Sequence, residues 1–149
     1  MIIESLKSLF KRDLEKLYSE IEQYKDEKKI WYTEKSIANS AGNLCLHLVG
    51  NLNAFIGAEL GKTGYVRNRP LEFSLKDVPR TVLLQQVKET ISAVDKSLDM
   101  VKEEQLNDHY PLEVFGYKMT TGYFLIHLSG HLSYHLGQVN YHRRLLDAQ

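Results

Sequence analysis

Apolar residues recur every three or four positions through four stretches of the chain, with charged and polar residues between them. In the first stretch, roughly residues 2–27, the apolar positions are Ile2, Ile3, Leu6, Phe10, Leu14, Leu17, Ile21 and Tyr24. In the second, which begins near Ser36 and ends in the region of residues 57–64, they are Ile37, Ala41, Leu44, Leu48, Leu52 and Phe55. Because this spacing places the apolar side chains on one face of an α-helix, both stretches are predicted to be amphipathic helices.

A segment rich in helix breakers separates the second stretch from the third. Residues 61–70 hold two glycines and a proline and are predicted to form a long surface loop. The third helix is expected to have Asp77 as its N-cap and Pro79 in its first turn. Its apolar positions are Val82, Leu83, Val87, Ile91, Val94, Leu98 and Val101.

The last stretch of the chain carries a turn and then the longest predicted helix. Residues 104–119 contain Pro111 and Gly116 among β-prone residues, which indicates a turn or a small hairpin. Thr120 or Thr121 is expected to cap the fourth helix, which is predicted to run to about residue 146.

Four such helices predict an all-α fold, an antiparallel four-helix bundle with a long loop between helices two and three. The 149 residues suit a single domain that spans the whole chain, 1–149. The long second connection leaves a different order of the helices open.

The charge balance excludes several classes of partner. Lysine and arginine number 19, as do aspartate and glutamate, so the formal net charge is zero and neither nucleic acid nor an acidic membrane surface is expected as a partner. We see neither a signal peptide nor the ~18 uncharged residues of a membrane span, so a cytoplasmic protein is expected. The lone cysteine, Cys45, lies among apolar residues and is expected to be a buried, inert thiol.

Histidines are concentrated on the predicted fourth helix, which holds four of the chain's six: His127, His131, His135 and His142. At about 100° per residue they fall within a sector of roughly 80°, so they are predicted to share the inward face. Residues four apart can direct both imidazoles at one point. Several neutral imidazoles packed together would each need hydrogen-bond partners, so a shared metal ion is the favoured explanation. His142 lies about 10 Å beyond His135 along the axis, too far for the same ion.

A metal site needs a further ligand from another element, because one helix supplies only one chelating pair well. His47 in the second helix is the natural candidate. His109 lies in a polar turn and is expected to be solvated or to cap a backbone group. Within the fourth helix, spacing alone leaves the choice open between the pair His127 and His131 and the pair His131 and His135.

His47, followed near the end of the chain by His131-Leu-Ser-Tyr-His135-Leu-Gly-Gln138, resembles the DinB-like family of metal-binding four-helix proteins. The resemblance covers essentially the whole chain, and the closing Gly-Gln-Val-Asn-Tyr-His-Arg-Arg is similar to a branch of small, mostly uncharacterised bacterial members. It implies a divalent ion bound by His47, His131 and His135, with zinc or nickel expected ahead of iron or manganese. Leu136 departs from the Arg or other polar residue of many members, which leaves the metal ligands intact and the substrate undefined.

The resemblance also bears on function, since characterised relatives include thiol-dependent S-transferases and isomerases. A metal ion activates a thiol by replacing its proton, which asks little of the protein. The leading hypothesis is therefore a metal-dependent thiol S-transferase or related detoxification enzyme, acting on a small-molecule thiol and an electrophile. The resemblance further implies a homodimer, for which Trp31, Tyr32 and Phe73 are candidate interface aromatics. Arg67 and Arg69 are either ligands for carboxylates of the thiol or solvated loop residues.

Two alternatives remain open. A metal-dependent hydrolase would need a carboxylate as general base, yet residues 121–146 contain no Asp or Glu and lack the H-E-x-x-H arrangement of metalloproteases. Glu59 or Glu34 would have to supply it. A non-enzymatic stress-response module is the other alternative, in which the ion holds helices two and four together.

Overall fold

The computed structural model describes residues 1–148, and within them the predicted all-α fold is confirmed. The five α-helices are α1 (Ile2–Glu22), α2 (Ala41–Leu52), α3 (Arg69–Ser74), α4 (Arg80–Asp99) and α5 (Thr121–Leu146). A π-helical turn, Asn53–Ala58, continues α2, and short 3₁₀ helices cover Glu27–Trp31 and Glu103–Asn107. The described residues contain no β-strand beyond one isolated bridge between His109 and Thr120. No helix among them is long and apolar enough to cross a membrane.

The four long helices pack as two antiparallel pairs. The start of α1 contacts the end of α4, where Lys7 pairs with Asp99 and lies 3.6 Å from Asp95. The end of α1 contacts the start of α4, where Arg80 donates to the carbonyl oxygen of Glu22 at 2.9 Å. The helices α2 and α5 are antiparallel in the same way, and α4 and α5 each pack against both α1 and α2. The long connection between α2 and α4 lets these two consecutive long helices run side by side in the same direction.

Apolar side chains from all four long helices meet in one core. Those with no exposed surface include Phe10, Leu14, Leu17, Leu48, Leu52, Leu83, Leu98, Phe124 and Leu132. Each buried side chain of this size contributes about 1.5–3 kcal/mol relative to leaving it in water. The core therefore fixes the spacing of α2 and α5, the two helices that carry the histidines of interest.

The first helix ends earlier than the sequence pattern predicted, at Glu22 instead of about residue 27. Asp26 caps the following 3₁₀ helix by accepting from the backbone N–H of Lys28 at 3.0 Å. The Asp147 carboxylate, at the end of α5, accepts from the backbone N–H groups of Lys25 and Asp26. Residues 25 and 26 thus find hydrogen-bond partners outside α1, which ends the helix.

The expected start near Ser36 was wrong for the second helix. The N-cap is Ser40, whose hydroxyl accepts from the backbone N–H of Asn43 at 3.1 Å. The expected Asp77 cap was also wrong, because Asp77 adopts φ +58°, a left-handed conformation that an N-cap does not use, and α4 starts after Pro79.

Two further expectations concern the segment before α5. Of the turn or small hairpin expected in residues 104–119, the turn is confirmed, since the backbone N–H of Gly116 donates to the carbonyl oxygen of Glu113 at 3.0 Å and Gly116 adopts φ +82°. The same stretch also holds the second 3₁₀ helix and one partner of the isolated bridge. The Thr120 cap is confirmed, because its side chain accepts from the backbone N–H of Tyr123 at 3.1 Å. Trp31 is buried and therefore unavailable as an interface residue.

Candidate metal centre

Three histidines from two helices converge between α2 and α5. His47 lies near the middle of α2, and His131 and His135 lie one turn apart on α5. One ring nitrogen from each lies within 4.8 Å of the others, so these three residues could hold a metal ion. The rings of His131 and His135 are nearly perpendicular, with centroids 4.5 Å apart. The structure therefore brings together the trio that the family resemblance implied, and their binding of an ion stays a prediction.

The donor set suits a divalent transition metal. The Nε2 atoms of His47 and His131 are 3.2 Å apart. Two imidazole nitrogens bound tetrahedrally to zinc at 2.0–2.1 Å would lie about 3.3 Å apart. Three histidine ligands leave a fourth position for water or substrate, as in catalytic zinc sites.

Two of the three imidazoles have a hydrogen-bond partner on the side away from this point. The Nδ1 of His47 lies 3.0 Å from Oε1 of Glu72, and the Nδ1 of His135 lies 2.6 Å from Oε1 of Gln138. Each Nδ1–H donates to its oxygen, so the Nε2 lone pair is left for a metal. Such outer partners fix the tautomer and orientation of metal-binding histidines.

Glu72 reaches His47 because a buried amide holds α3 against α2. The side chain of Asn43 has no exposed surface, and its Nδ2 donates to the carbonyl oxygens of Glu72 and Leu75 at 2.9 Å each. Lys76 donates to Oδ1 of the same amide at 2.7 Å. Asn43 therefore fixes the position of the Glu72 backbone relative to α2.

The Glu72 carboxylate is fully engaged by its neighbours. Arg67 donates to Oε2 through Nε at 2.8 Å and to Oε1 through Nη2 at 2.9 Å. Burial by itself would raise the pKa of Glu72, but the hydrogen bonds from His47 and Arg67 and the charge of Arg67 outweigh it and hold this pKa below its usual value. Glu72 is therefore ionised and committed to orienting His47.

The two histidines that α5 contributes to the cluster, His131 and His135, are neutral at pH 7. Burial, followed by the nearby imidazoles and Arg67, lowers the pKa of His131 to about 4. Burial also lowers the pKa of His135, and this outweighs the raising effect of Gln138. Neutral imidazoles are the form that coordinates metals, so neither ring has to lose a proton before binding.

The remaining histidines have other environments. His142 is buried as predicted, but its Nε2–H donates to the carbonyl oxygen of Tyr32 at 2.8 Å and its Nδ1 accepts from the Tyr24 hydroxyl at 2.6 Å. Its two nitrogens therefore join α5 to the segment that follows α1. His127 shares the face of His131, as predicted, since their ring centroids are 6.1 Å apart and both line one cavity, but its side chain is exposed. His109 is exposed, as expected.

Sequence reasoning missed Glu72, the carboxylate of the site. It proposed Glu59 or Glu34, neither of which belongs to the histidine cluster. Glu34 instead lines a different cavity, of about 680 Å³, beside the C-terminal part of α5. Glu72 belongs to a six-residue helix that the apolar pattern did not reveal, and only the fold brings it near His47. The sequence signal available was Pro70 at the start of a short helix, which indicates α3 but not what it contacts.

Comparison with protein families identifies the family of the chain. The family model described as Protein of unknown function (DUF1572) matches residues 2–149. No curated protein gives a significant match. Because the family model spans nearly the entire chain, the protein with this three-histidine cluster belongs to the DUF1572 family.

Proposed function

We propose that this protein is a DinB-like, divalent-metal-dependent thiol S-transferase of the cytoplasm. The observation that carries the proposal is the convergence of three imidazoles at one point. The carboxylate beside them, that of Glu72, has both oxygens hydrogen-bonded to Arg67. Three neutral ligands would leave the positive charge of a bound ion uncompensated. A thiolate, being a soft anion, would be favoured at such a site.

The chemistry needs little acid–base help from the chain. A bound divalent ion would supply Lewis acidity that lowers the pKa of a thiol. In the net reaction the thiol loses its proton to solvent, the sulfur forms a bond to the electrophilic carbon, and the leaving group departs with the electron pair of the bond that breaks. Glu72 and Gln138 accept from the Nδ1–H of His47 and His135 and so orient the two rings. The Nε2 atoms of these rings would then be available to bind the ion.

Hydrolysis is less well supported by the same geometry. A general base needs an oxygen free to accept a proton near the attacking water. Both oxygens of Glu72 are engaged by Arg67 and His47, and the pKa of Glu72 is lowered, so this carboxylate is a poor proton acceptor.

The test is a conjugation assay with metal-free protein prepared without a histidine tag. The protein is loaded with zinc, nickel, iron or manganese, and the reaction of cysteine with 1-chloro-2,4-dinitrobenzene is followed by absorbance. We expect acceleration by at least one loaded form and its loss in His135→Ala, while His109→Ala, which changes an exposed histidine outside the cluster, keeps it. Strong stabilisation by metal without any acceleration would refute the transferase and support a metal-binding module that joins α2 to α5.

We also propose a homodimer that uses the outer face of α5. No charged residue occurs between residues 121 and 142, and several large side chains of this helix are exposed: Tyr123, Ile126, Tyr134, Tyr141 and Leu145. At about 100° per residue these five, together with Gly130 and Gly137, fall within a sector of about 100°. Monomers rarely leave so long an apolar stripe uncovered.

Sedimentation equilibrium checks the dimer. The unmodified protein is expected to sediment as a dimer and Ile126→Glu as a monomer, because a buried unpaired carboxylate opposes association. Val82→Glu, which changes an exposed apolar residue of α4, is the matched control and is expected to remain dimeric. A monomeric unmodified protein at micromolar concentration would contradict this proposal and leave the metal site unaffected.

A further inference from the structure

A cavity of about 430 Å³ adjoins the histidine cluster, and His47 and His131 form part of its wall. This volume falls within the ~300–1,000 Å³ range of small-molecule sites. The rest of the wall includes aromatic side chains and two arginines. We call this space the metal-side cavity.

Part of the wall of the metal-side cavity is aromatic. Phe55, Phe115 and Phe124 belong to it, and the ring of Phe124 meets those of Phe55 and Phe115 edge to face, with centroids 5.2 and 5.8 Å away. His127 also lines the cavity and its ring lies nearly parallel to that of Phe124. A wall of this kind favours a flat or branched apolar group, because rings pack edge to face or offset against it.

Another part of the wall carries positive charge, beginning with Arg67, whose guanidinium lies over the ring of Phe55 at 5.5 Å. Arg67 and Arg69 are the charged residues among those that line the cavity, and no aspartate or glutamate is in that set. The charge of Arg67 is offset by Glu72. The Arg69 guanidinium lies over the ring of Phe73 at 5.2 Å and, within residues 1–148, has no carboxylate within 4.0 Å. The N–H groups of the planar Arg69 guanidinium are therefore available to bind both oxygens of a carboxylate.

Two buried polar atoms on residues of the same wall also have no partner. They are Oδ1 of Asn51, a side chain 6% exposed, and Nδ1 of His131. Asn51 lies one helical turn beyond His47 on α2, so its amide is beside the histidine cluster. A buried acceptor without a hydrogen bond costs about 1–3 kcal/mol, which a bound polar molecule would relieve.

We propose that the metal-side cavity binds a small organic carboxylate with an aromatic or branched apolar group, its carboxylate on Arg69 and its apolar group among the three phenylalanines. The inference rests on the proposed function in taking this ligand to be a substrate of the same site. Arg69 is then the residue that gives the site its preference for a carboxylate ligand.

The test uses 3-phenylpropionate as the probe and isothermal titration calorimetry of zinc-loaded protein. The neutral 3-phenylpropanamide keeps the ring and removes the charge, and propionate keeps the charge and removes the ring. We expect 3-phenylpropionate to bind more tightly than either. Arg69→Gln should weaken its binding about 10-fold, the value of one charge-assisted hydrogen bond, while leaving the amide unchanged.

Arg144→Gln is the matched control, since Arg144 is another exposed arginine stacked on an aromatic ring, at 5.4 Å from that of Tyr141, outside the cavity lining. It should bind 3-phenylpropionate as the unmodified protein does. Equal affinity in Arg69→Gln and the unmodified protein, or no binding by either, would overturn the proposal.

A zinc titration separates this failure from failure of the proposed function. Unchanged zinc affinity in Arg69→Gln shows that the loss concerns the organic ligand and not the metal. If the unmodified protein binds 3-phenylpropionate through Arg69 but binds no zinc, the carboxylate site stands and the metal-dependent function is rejected.

Discussion

Replacing His131 with alanine is expected to weaken zinc binding by more than 100-fold. The loss of a hydrogen-bond partner behind a ligand typically costs 10–100-fold in metal affinity, and the loss of the ligand itself costs more. His131 is close to both other ligands, with its Nε2 3.2 Å from that of His47 and its ring centroid 4.5 Å from that of His135. Without it, one helix would contribute a single donor and no chelating pair. Competition against a chelator of known zinc affinity measures the change.

The matched control is His127→Ala, one turn earlier on the same face of α5. Its imidazole is exposed and is not in the cluster, so zinc affinity should stay within about twofold of the unmodified protein. The metal-free His131→Ala protein should fold, because the change removes a buried Nδ1 that has no partner in the described structure. Equal zinc affinity in His131→Ala and His127→Ala would rule out the proposed centre.

Gly50→Ala should disrupt the same centre without touching a metal ligand. A Cβ atom at position 50 would lie 1.9 Å from Oε2 of Glu72 and 2.7 Å from its Cδ. This carboxylate cannot swing aside freely, because Arg67 and His47 hold it on both oxygens. We expect Glu72 to be displaced, zinc affinity to fall 10–100-fold, and the free energy of unfolding to drop by about 1–3 kcal/mol. Chelator competition and urea denaturation measure the two effects.

A double-mutant cycle gives this prediction its control. Once Glu72→Ala has removed the carboxylate, Gly50→Ala has little left to displace and should cost little more, so the two changes should be strongly non-additive. Gly57→Ala, a buried glycine where a Cβ would meet Thr63 at an ordinary 3.4 Å, should retain zinc binding. Additive losses in the cycle would mean that Gly50 acts independently of Glu72.

Periodicity was sufficient to predict the four long helices and the shared face of the α5 histidines, because both depend on which face of a helix a residue occupies. It left the choice of ligand pair open, and the trio His47, His131 and His135 came from the family resemblance. The same reasoning placed His127 on the correct face but could not show that it is exposed. A helical wheel gives a direction around the axis but not the extent of the neighbouring helix, and His127 lies where the metal-side cavity replaces packed neighbours. The choice of His135 over His127 is made by the position of His47 along α2.

The hydrogen-bond partner of His47, Glu72, was beyond prediction from the chain alone. Glu72 reaches His47 through Asn43, which is 29 residues away along the chain and holds the backbone of α3. No local propensity encodes that contact. The end of α1 and the start of α4 were missed for a related reason. The Asp147 carboxylate binds the backbone just after α1, and Asp77 adopts a left-handed conformation just before α4.

The contact between position 50 and the Glu72 carboxylate also has an evolutionary consequence. Glycine at position 50 leaves the space that the Glu72 carboxylate fills, so which residues are tolerated at one of these positions depends on the residue at the other. Among homologous chains, those that lose the acid at 72 are free to acquire a larger side chain at 50, whereas those that keep it are not. Substitutions at positions 50 and 72 should therefore be correlated. Arg67 should be lost together with the acid at 72, because that acid is its counterion.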